Sequence, residues 1–449
     1  MFVPIALLVC GLAVECRDAR AAQERQAEKS RSFILPAVEI VAMDAAINLT
    51  ARRVMEPAAY AVTAATIRRN LRARWVVEDD PFDINQFLHP YQGAMYHNIA
   101  RSSGLNYWQS MAYTFAGSAL WEIAGETSPP SRNDQIASGL AGSLLGEPLF
   151  RTARLVLFRG GNGPGLLRGI GATLISPPVG VNRALFGDRF DSDAPGSVAQ
   201  ADLRLEIGMT APAGDLGSFR SSSPFIGFAV DYGYPGIATH VHARPFDYFR
   251  FEGIASAGGF QNLSTRGLIA GCDFGAGNRG RGVWGLYGGY DYFSPDLFRV
   301  SSTSASLGTT FQTLVSDAVT LQGTALIGAG YTAAQSIGGR DDRDYHYGVA
   351  PQALASLRLI AGRRASLDVT AREYFISDIG GLGTSRRDAI FRGDATLALR
   401  LFGKHGVAVK YQRAERRAEA PDLSRFVQRS STAGLFYTFL GSGGFGAIR

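Results

Sequence analysis

The sequence predicts an all-β transmembrane barrel of about twelve antiparallel strands, preceded by a mainly α-helical N-terminal domain. Two patterns carry this reading: strict alternation of apolar and polar residues after residue 200, and helical spacing with many ionisable groups before it. The composition supports both. The 449 residues hold 54 glycines and 11% aromatics against 19% charged residues, which suits tight turns and interfacial rings better than a soluble enzyme.

The alternation begins with Leu203, Leu205, Ile207 and Met209 on one face and Asp202, Arg204 and Glu206 on the other. It returns in Leu367 and Val369 against Ser366, Asp368 and Thr370, in Leu397, Leu399 and Leu401 against Thr396 and Arg400, and in Val407, Val409 and Tyr411 against Lys410 and Gln412. Period two with one apolar and one polar face is a half-buried strand. The strands expected are 200–210, 222–233, 245–257, 264–275, 281–292, 298–312, 317–331, 345–360, 364–376, 389–402, 405–415 and 427–440. Most are long enough to cross a bilayer at a tilt, and their number is even, as bacterial barrels require. Aromatics cluster near strand ends, at Tyr232 and Tyr234, Phe246, Tyr248 and Phe249, Tyr290, Tyr292 and Phe293, and Tyr345 and Tyr347. Glycine-rich turns at 338–342 and 380–383 separate strands. The last strand, with Leu435, Tyr437 and Phe439 on one face, resembles the aromatic-rich terminal strand that barrel-assembly machinery reads, although a tail, 441–449, follows it.

The apolar run Phe2–Val14 is too short to span a bilayer and precedes an Ala19-Arg20-Ala21 cleavage-like site, so residues 1–21 are expected to be an export signal. Cleavage there would remove Cys10 and Cys16 and leave Cys272 without an intramolecular partner. Beyond this leader no spanning helix is expected, so the membrane must be crossed as a closed barrel. The formal charge of +6 comes almost wholly from arginine, with lysine only at 29, 404 and 410. No basic run interleaved with aromatics is present, which excludes nucleic acid as a partner. Singly spaced arginines fit a polar lumen or lipid headgroups. The expected setting is the outer membrane of a Gram-negative bacterium, with lipid as partner and the chain as a monomer.

Residues 22–185 form the helical domain, with 33–70 Ala-rich and broken at Pro57. Within it, 85–151 concentrates the chemistry. Trp108, Met111, Phe115, Ala119 and Ile123 recur at helical spacing over 106–125, Ser131 can cap the next helix, and Gly139, Gly142 and Gly146 give that helix a small-residue face. Among these sit His89, His97, Arg101, Glu122, Glu126, Asp134, Glu147 and Arg151. Ionisable groups in semi-apolar surroundings must be paired, line a wet cavity, or do chemistry.

This block resembles the DUF3943 family, bacterial proteins of unknown function expected in the outer membrane. The likeness rests on Asn85, His89-Pro90, Gly93 with Tyr96, Arg101, Trp108 with Ser110, Trp121-Glu122, Glu126, Asn133-Asp134 and Gly146-Glu147. Downstream, Pro178, Gly180, Asn182, Arg183 and a Pro245-Phe246-Asp247 strand look familial, so the resemblance covers roughly 70–440. It implies an outer-membrane location and a helical segment before the barrel, with no substrate or catalytic residue.

Catalysis remains one reading of the block, with Glu122, Glu126, His89 and Asp134 as candidates. Glu122 and Glu126, one helical turn apart, could raise each other's pKa for acid–base work or a metal; the plainer expectation is that Arg101, Arg132 or Arg151 neutralises them. His89 and His97 could be ligands, or a base for Ser110 or Ser118, but no Gly-x-Ser-x-Gly elbow or His-Glu-x-x-His motif is present. His89 is expected to fix a turn, His97 to be a surface or satisfied core residue, and Trp108 and Trp121 to be core. The loop 159–165 looks like a phosphate cradle without its Gly-Lys-Ser/Thr ending and reads as a connector. No cofactor or metal is expected. The function read from sequence is a structural or transport role with the helices on or in the barrel; the alternative is an enzyme acting on lipid or envelope glycan.

Overall fold

The computed structural model describes residues 31–55, 57–78, 80–158, 165–190, 201–213, 223–236, 242–256, 259–276, 279–295, 297–336, 345–378, 387–420 and 423–447. The leader, the loop 159–164 and the turns at 338–342 and 380–383 lie outside them. The chain divides into two compact units, 23–198 and 199–449, the latter with 1–22. Each is described by itself.

The second unit is a closed barrel of twelve antiparallel strands. They are β1 Ala201–Pro212, β2 Ser223–Tyr232, β3 Phe249–Ser256, β4 Gly259–Ala276, β5 Gly280–Phe293, β6 Phe298–Leu314, β7 Val319–Ser336, β8 Tyr345–Ala361, β9 Ala365–Asp378, β10 Arg387–Phe402, β11 His405–Ala420 and β12 Leu423–Leu440. Each strand pairs with its neighbour in sequence, and β1 closes on β12 with Leu205 opposite Phe439 and Ile207 opposite Tyr437. The expected number of strands holds.

The alternation works as an inverted protein. Leu205, Ile207, Leu357, Leu399, Val409 and Leu435 are exposed, whereas Arg204, Glu206, Arg358, Arg372 and Arg392 are buried. In water, that surface would leave a large apolar band uncovered. A hydrocarbon solvent removes the problem, and closure leaves no unpaired strand edge to satisfy there.

The expected strand at 245–257 starts four residues late, because Arg244–Tyr248 is a turn. Phe246 adopts a left-handed φ of 61° and is fully buried, a conformation that a bulky residue holds only when packing enforces it. Here the enforcement is visible. The Phe246 N–H donates to the Leu268 carbonyl at 2.6 Å, the Arg244 N–H donates to the Asp247 carboxylate at 2.7 Å, and the ring lies against Gly267. Cys272 on β4 is disulfide-bonded; the expectation of an unpaired Cys272 concerns the chain after removal of 1–21, which lie outside the described residues.

The first unit is helical: α1 Ile34–Val54, α2 Ala64–Asn70, a π-turn Ile84–Leu88 running into α3 His89–Ser102, α4 Tyr107–Ala124, α5 Arg132–Ile136, a second π-turn Ala137–Ala141 running into α6 Gly142–Phe158, then α7 Leu166–Ile175 and α8 Pro177–Phe186. Asn106 caps α4 through a capping box with Gln109, and the Ser131 hydroxyl caps α5 by accepting the Asp134 N–H at 3.3 Å. The small face of α6 packs as expected. A Cβ on Gly142 would meet the Gly93 backbone at 2.6 Å, so α3 and α6 cross with backbones nearly touching. α1 is long and apolar enough to cross a membrane by length and composition alone, where the sequence reading expects no spanning helix. Its Asp44 and Ile40 are nevertheless buried in the helical unit, where the Tyr96 hydroxyl donates to Asp44.

Gly267→Val places carbon where the Phe246 ring sits, about 2 Å from a built Cβ. Overpacking of this kind costs about 1–3 kcal/mol. The expected result is a lower temperature for loss of the compact, heat-modifiable gel band, with a milder fall for Gly267→Ala.

Candidate functional site

Two charge constellations organise the 85–151 block, and they treat carboxylates oppositely. The first is built on Glu147 of α6, which is fully buried. Arg101 of α3 donates Nε to one carboxylate oxygen at 2.7 Å and Nη2 to the other at 3.1 Å. Arg151, one turn on along α6, donates at 2.8 Å, and His97 Nε2 lies at 3.1 Å. Burial pushes the Glu147 carboxyl upward, but Arg101, Arg151 and His97 together outweigh it and hold it well below the carboxylate range. Burial lowers His97 against the pull of Glu147. The arginines expected to neutralise Glu122 and Glu126 are therefore committed to Glu147. Arg132, the third expected partner, is exposed.

Among the described residues, the second constellation has no arginine or lysine partner. Glu78, Glu122 and Asp134 each present a carboxylate oxygen within 4.8 Å of the others. Glu122 and Asp134 are buried, and Glu78 is half-buried. The Ser131 N–H donates to Glu122 at 2.8 Å, and Asn133 Nδ2 donates to Asp134 at 3.1 Å. Asn133 also fixes the Glu78 backbone, accepting its N–H at 2.9 Å. His89 Nε2 stands 3.9 Å from Asp134. Burial first, and then Asp134 and Glu126, raise Glu122 well above its ordinary value; burial and Asp134 raise Glu78 to about 8. Burial also raises Glu126. Glu78 and Glu122 then keep their protons, or the group takes a divalent cation, for which oxygen-only donors suit Mg²⁺ or Ca²⁺. Glu78 was not singled out in the sequence, because its partners lie 44 and 56 residues further along the chain.

Several expectations change in place. Glu126 lies beyond the end of α4 and accepts from Trp121 Nε1 at 2.7 Å and the Ser128 hydroxyl at 3.2 Å, so it does not share a helix face with Glu122. His89 sits inside a continuous helical run instead of at a turn; its ring meets the Ser138 hydroxyl at 3.3 Å, and neither Ser110 nor Ser118. Pro90 occupies the first turn of α3, and Asn85, Tyr96 and Ser110 are buried. Trp121 is core, but Trp108 is 48% exposed, with its ring edge-on to Tyr107.

The barrel interior is a third charged site. In a ring of twelve strands, β2 faces β8, β3 faces β9 and β4 faces β10. Arg358 of β8 reaches Asp231 of β2 at 2.8 Å, Arg372 of β9 reaches Glu252 of β3 at 3.3 Å, and Arg392 of β10 reaches Asn262 of β4 at 2.8 Å. Three successive arginines thus bridge the lumen across its diameter. Arg358 also pairs with Asp368, and Arg372 with Asp291. Beside this ladder lies a polar chamber of about 100 Å³, bordered by Arg204, Glu206, Asp368, Asp394 and Lys410. The tail enters the same interior: Phe445 is buried, and the Gly446 carbonyl accepts from Gln322 of β7 at 3.0 Å.

The fold defines a closed barrel of the outer-membrane type carrying an N-terminal helical domain. Residues 74–178 of that domain match the family model described as "Domain of unknown function (DUF3943)", which bears out the resemblance seen in the sequence and confines it to the helical segment. Pro245-Phe246-Asp247 falls outside the match. Among solved structures the chain is similar to "KdgM porin" (TM-score 0.24, 4% identity, 53% of this chain and 98% of that one) and to "NanC porin structure in rhombohedral crystal form" (0.27, 6%, 52% and 98%). It is also similar to the outer membrane channel DcaP of Acinetobacter baumannii (0.22, 6%, 54% and 95%). Scores this low leave the barrel assignment resting on its own strand pairing. No curated protein matches the sequence.

The two constellations give opposite pH responses. Carboxyls raised in the folded state hold more protons than the unfolded chain between about pH 4.5 and pH 8, so stability falls as pH rises through that window. Glu147, lowered by its cations, contributes stability that is present above its ordinary value of 4.5 and is lost as pH falls towards its folded value. Urea unfolding of the helical unit, followed by protection of its backbone from protease, is expected to show lower stability at pH 8 than at pH 5.5. Glu122→Gln should flatten that slope. Arg101→Met, which strips one cation from a buried carboxylate, should destabilise by about 3 kcal/mol at either pH.

Proposed function

We propose that the chain resides in the outer membrane of a Gram-negative bacterium, spans it as a monomeric barrel in contact with lipid, and has a structural or transport role behind a closed lumen. The observation that carries this is the inversion of the barrel: an exposed apolar outer face around a buried, ion-paired interior. The aromatic-rich β12 supports delivery by barrel-assembly machinery.

Any solute passing through must displace the arginine ladder. Deleting one partner would leave a buried charge unpaired, so the informative variants remove both. In planar bilayers the native protein is expected to conduct weakly. Arg358→Ala with Asp231→Ala, combined with Arg372→Ala and Glu252→Ala, should raise single-channel conductance several-fold. Unchanged conductance in that variant, followed by an increase on deleting 33–150, would transfer the barrier from the ladder to the helices.

A further inference from the structure

The helical unit contains a cavity whose wall includes His89 and Glu126, neighbours of the second constellation, but not Glu78, Glu122 or Asp134. About 650 Å³ of space lies between α1, α3 and α8, within the size range of small-ligand sites. Its α1 wall is a regular stripe, Glu39, Ala42, Met43, Ile47, Ala51 and Met55. Sixteen steps of 1.5 Å from Glu39 to Met55 make this wall about 24 Å long, the scale of an extended acyl chain. Met95 and Ile99 of α3 face it, with Val181 and Leu185 of α8 at one end and Trp121 at the wall.

Asn182, Gln92 and Glu126, which border this space, are engaged with other polar groups. Asn182 Nδ2 donates to Glu39 at 3.0 Å and to the Ser102 hydroxyl at 2.8 Å, Gln92 donates to Tyr96 at 2.5 Å, and Glu126 takes the Trp121 N–H. They bind the fold and leave a hydrocarbon lining, with methionines at three positions that adapt to an irregular occupant. The rim is apolar too: Leu88, Val181, Leu185 and Met55 line the space and are each about half exposed or more. A water-soluble ligand gains nothing from such an entrance.

Charge names the other end of the occupant. Between Arg52 and Arg74 the sequence has six arginines and one acid, Glu56, and all six arginines are exposed. Arg52 and Arg53 lie in the last turn of α1, next to the Ala51–Met55 end of the stripe. An anionic group held there meets cations directly beside the apolar space.

We propose that the helical unit binds one anionic phospholipid, with an acyl chain along the α1–α3 groove and its phosphate at Arg52 and Arg53. The site is distinct from the barrel lumen, and it adjoins the Glu78–Glu122–Asp134 cluster only through His89 and Glu126. It does not depend on whether the lumen conducts.

Trp121 is a built-in reporter on the groove wall. The full-length protein, with Trp75, Trp108 and Trp284 replaced by Phe, is inserted into phosphatidylcholine vesicles, and heat-modifiable mobility verifies the barrel. Vesicles then receive phosphatidylglycerol or phosphatidylcholine carrying dibrominated chains. The expected result is that brominated phosphatidylglycerol removes most Trp121 emission and saturates at a low mole fraction, while brominated phosphatidylcholine needs about tenfold more. Ala42→Phe, which fills the groove, should abolish the saturable component. Arg52→Gln with Arg53→Gln should erase the tenfold preference between the two lipids, since surface arginines attract an anionic headgroup. Absence of saturable quenching, or equal quenching in the Ala42→Phe protein, overturns the proposal. Persistence of the phosphatidylglycerol preference in the double arginine variant overturns its headgroup assignment, and a protein that quenches normally but conducts freely refutes only the closed-lumen reading.

Discussion

Burying arginine inside a barrel is tolerable only if each guanidinium finds carboxylate or carbonyl oxygen, and this requirement shapes the barrel more than any other. A twelve-strand wall encloses more space than aliphatic side chains of its own could fill. This chain fills it with long cationic side chains from β8, β9 and β10 that end on acids and an amide of β2, β3 and β4. Desolvation of such ions is expensive, and their mutual attraction roughly offsets it when every partner is present. The result is an interior specified by matching positions across the ring, so strand register and charge pairing are one constraint. A slip of one residue on β9 would turn Arg372 into the hydrocarbon and Ala371 into the lumen.

The helical unit solves a related problem in two ways. Around Glu147 it concentrates positive charge until a fully buried carboxylate is held ionised. Around Glu78, Glu122 and Asp134 it supplies backbone and amide donors, and burial then favours the protonated form of Glu78 and Glu122. The same unit therefore carries one group that stabilises the fold when charged and another that stabilises it when neutral. Near-touching helices at Gly93 and Gly142 make the first arrangement possible, because they bring Arg101 of α3 within reach of α6.

How much of this was legible in the sequence depended on range. Period-two alternation is local, so Leu203 to Met209 or Leu397 to Leu401 declared their strands, and twelve such runs gave the barrel. Capping at Ser131 and the small face at Gly139, Gly142 and Gly146 are local too, and both were readable. Phe246 was misread because its turn depends on Gly267, twenty-one residues further on, and a dipeptide pattern cannot show a ring pressed on a distant glycine. The pairing of acids with arginines was wrong for the same reason: Arg101 and Glu147 are 46 residues apart, and Glu78 reaches its cluster through Asn133. The residue types announced that charges would need partners. Their identity came only from three-dimensional proximity.

The tail offers a consequence of another kind. The Gly441 N–H donates to the Leu203 carbonyl at 2.7 Å, and the Ser442 hydroxyl donates to Asp202 at 2.6 Å, so the segment leaving β12 is fastened to β1 across the join that closes the ring. Those bonds can form only after the first and last strands have met, which makes the tail a latch set at the end of assembly. It also leaves the C-terminus a poor place for a fusion partner: a bulky tag there would pull on Phe445 and Gly446 and work against the seam, whereas an extension carried on the loop 379–386 would leave the latch intact.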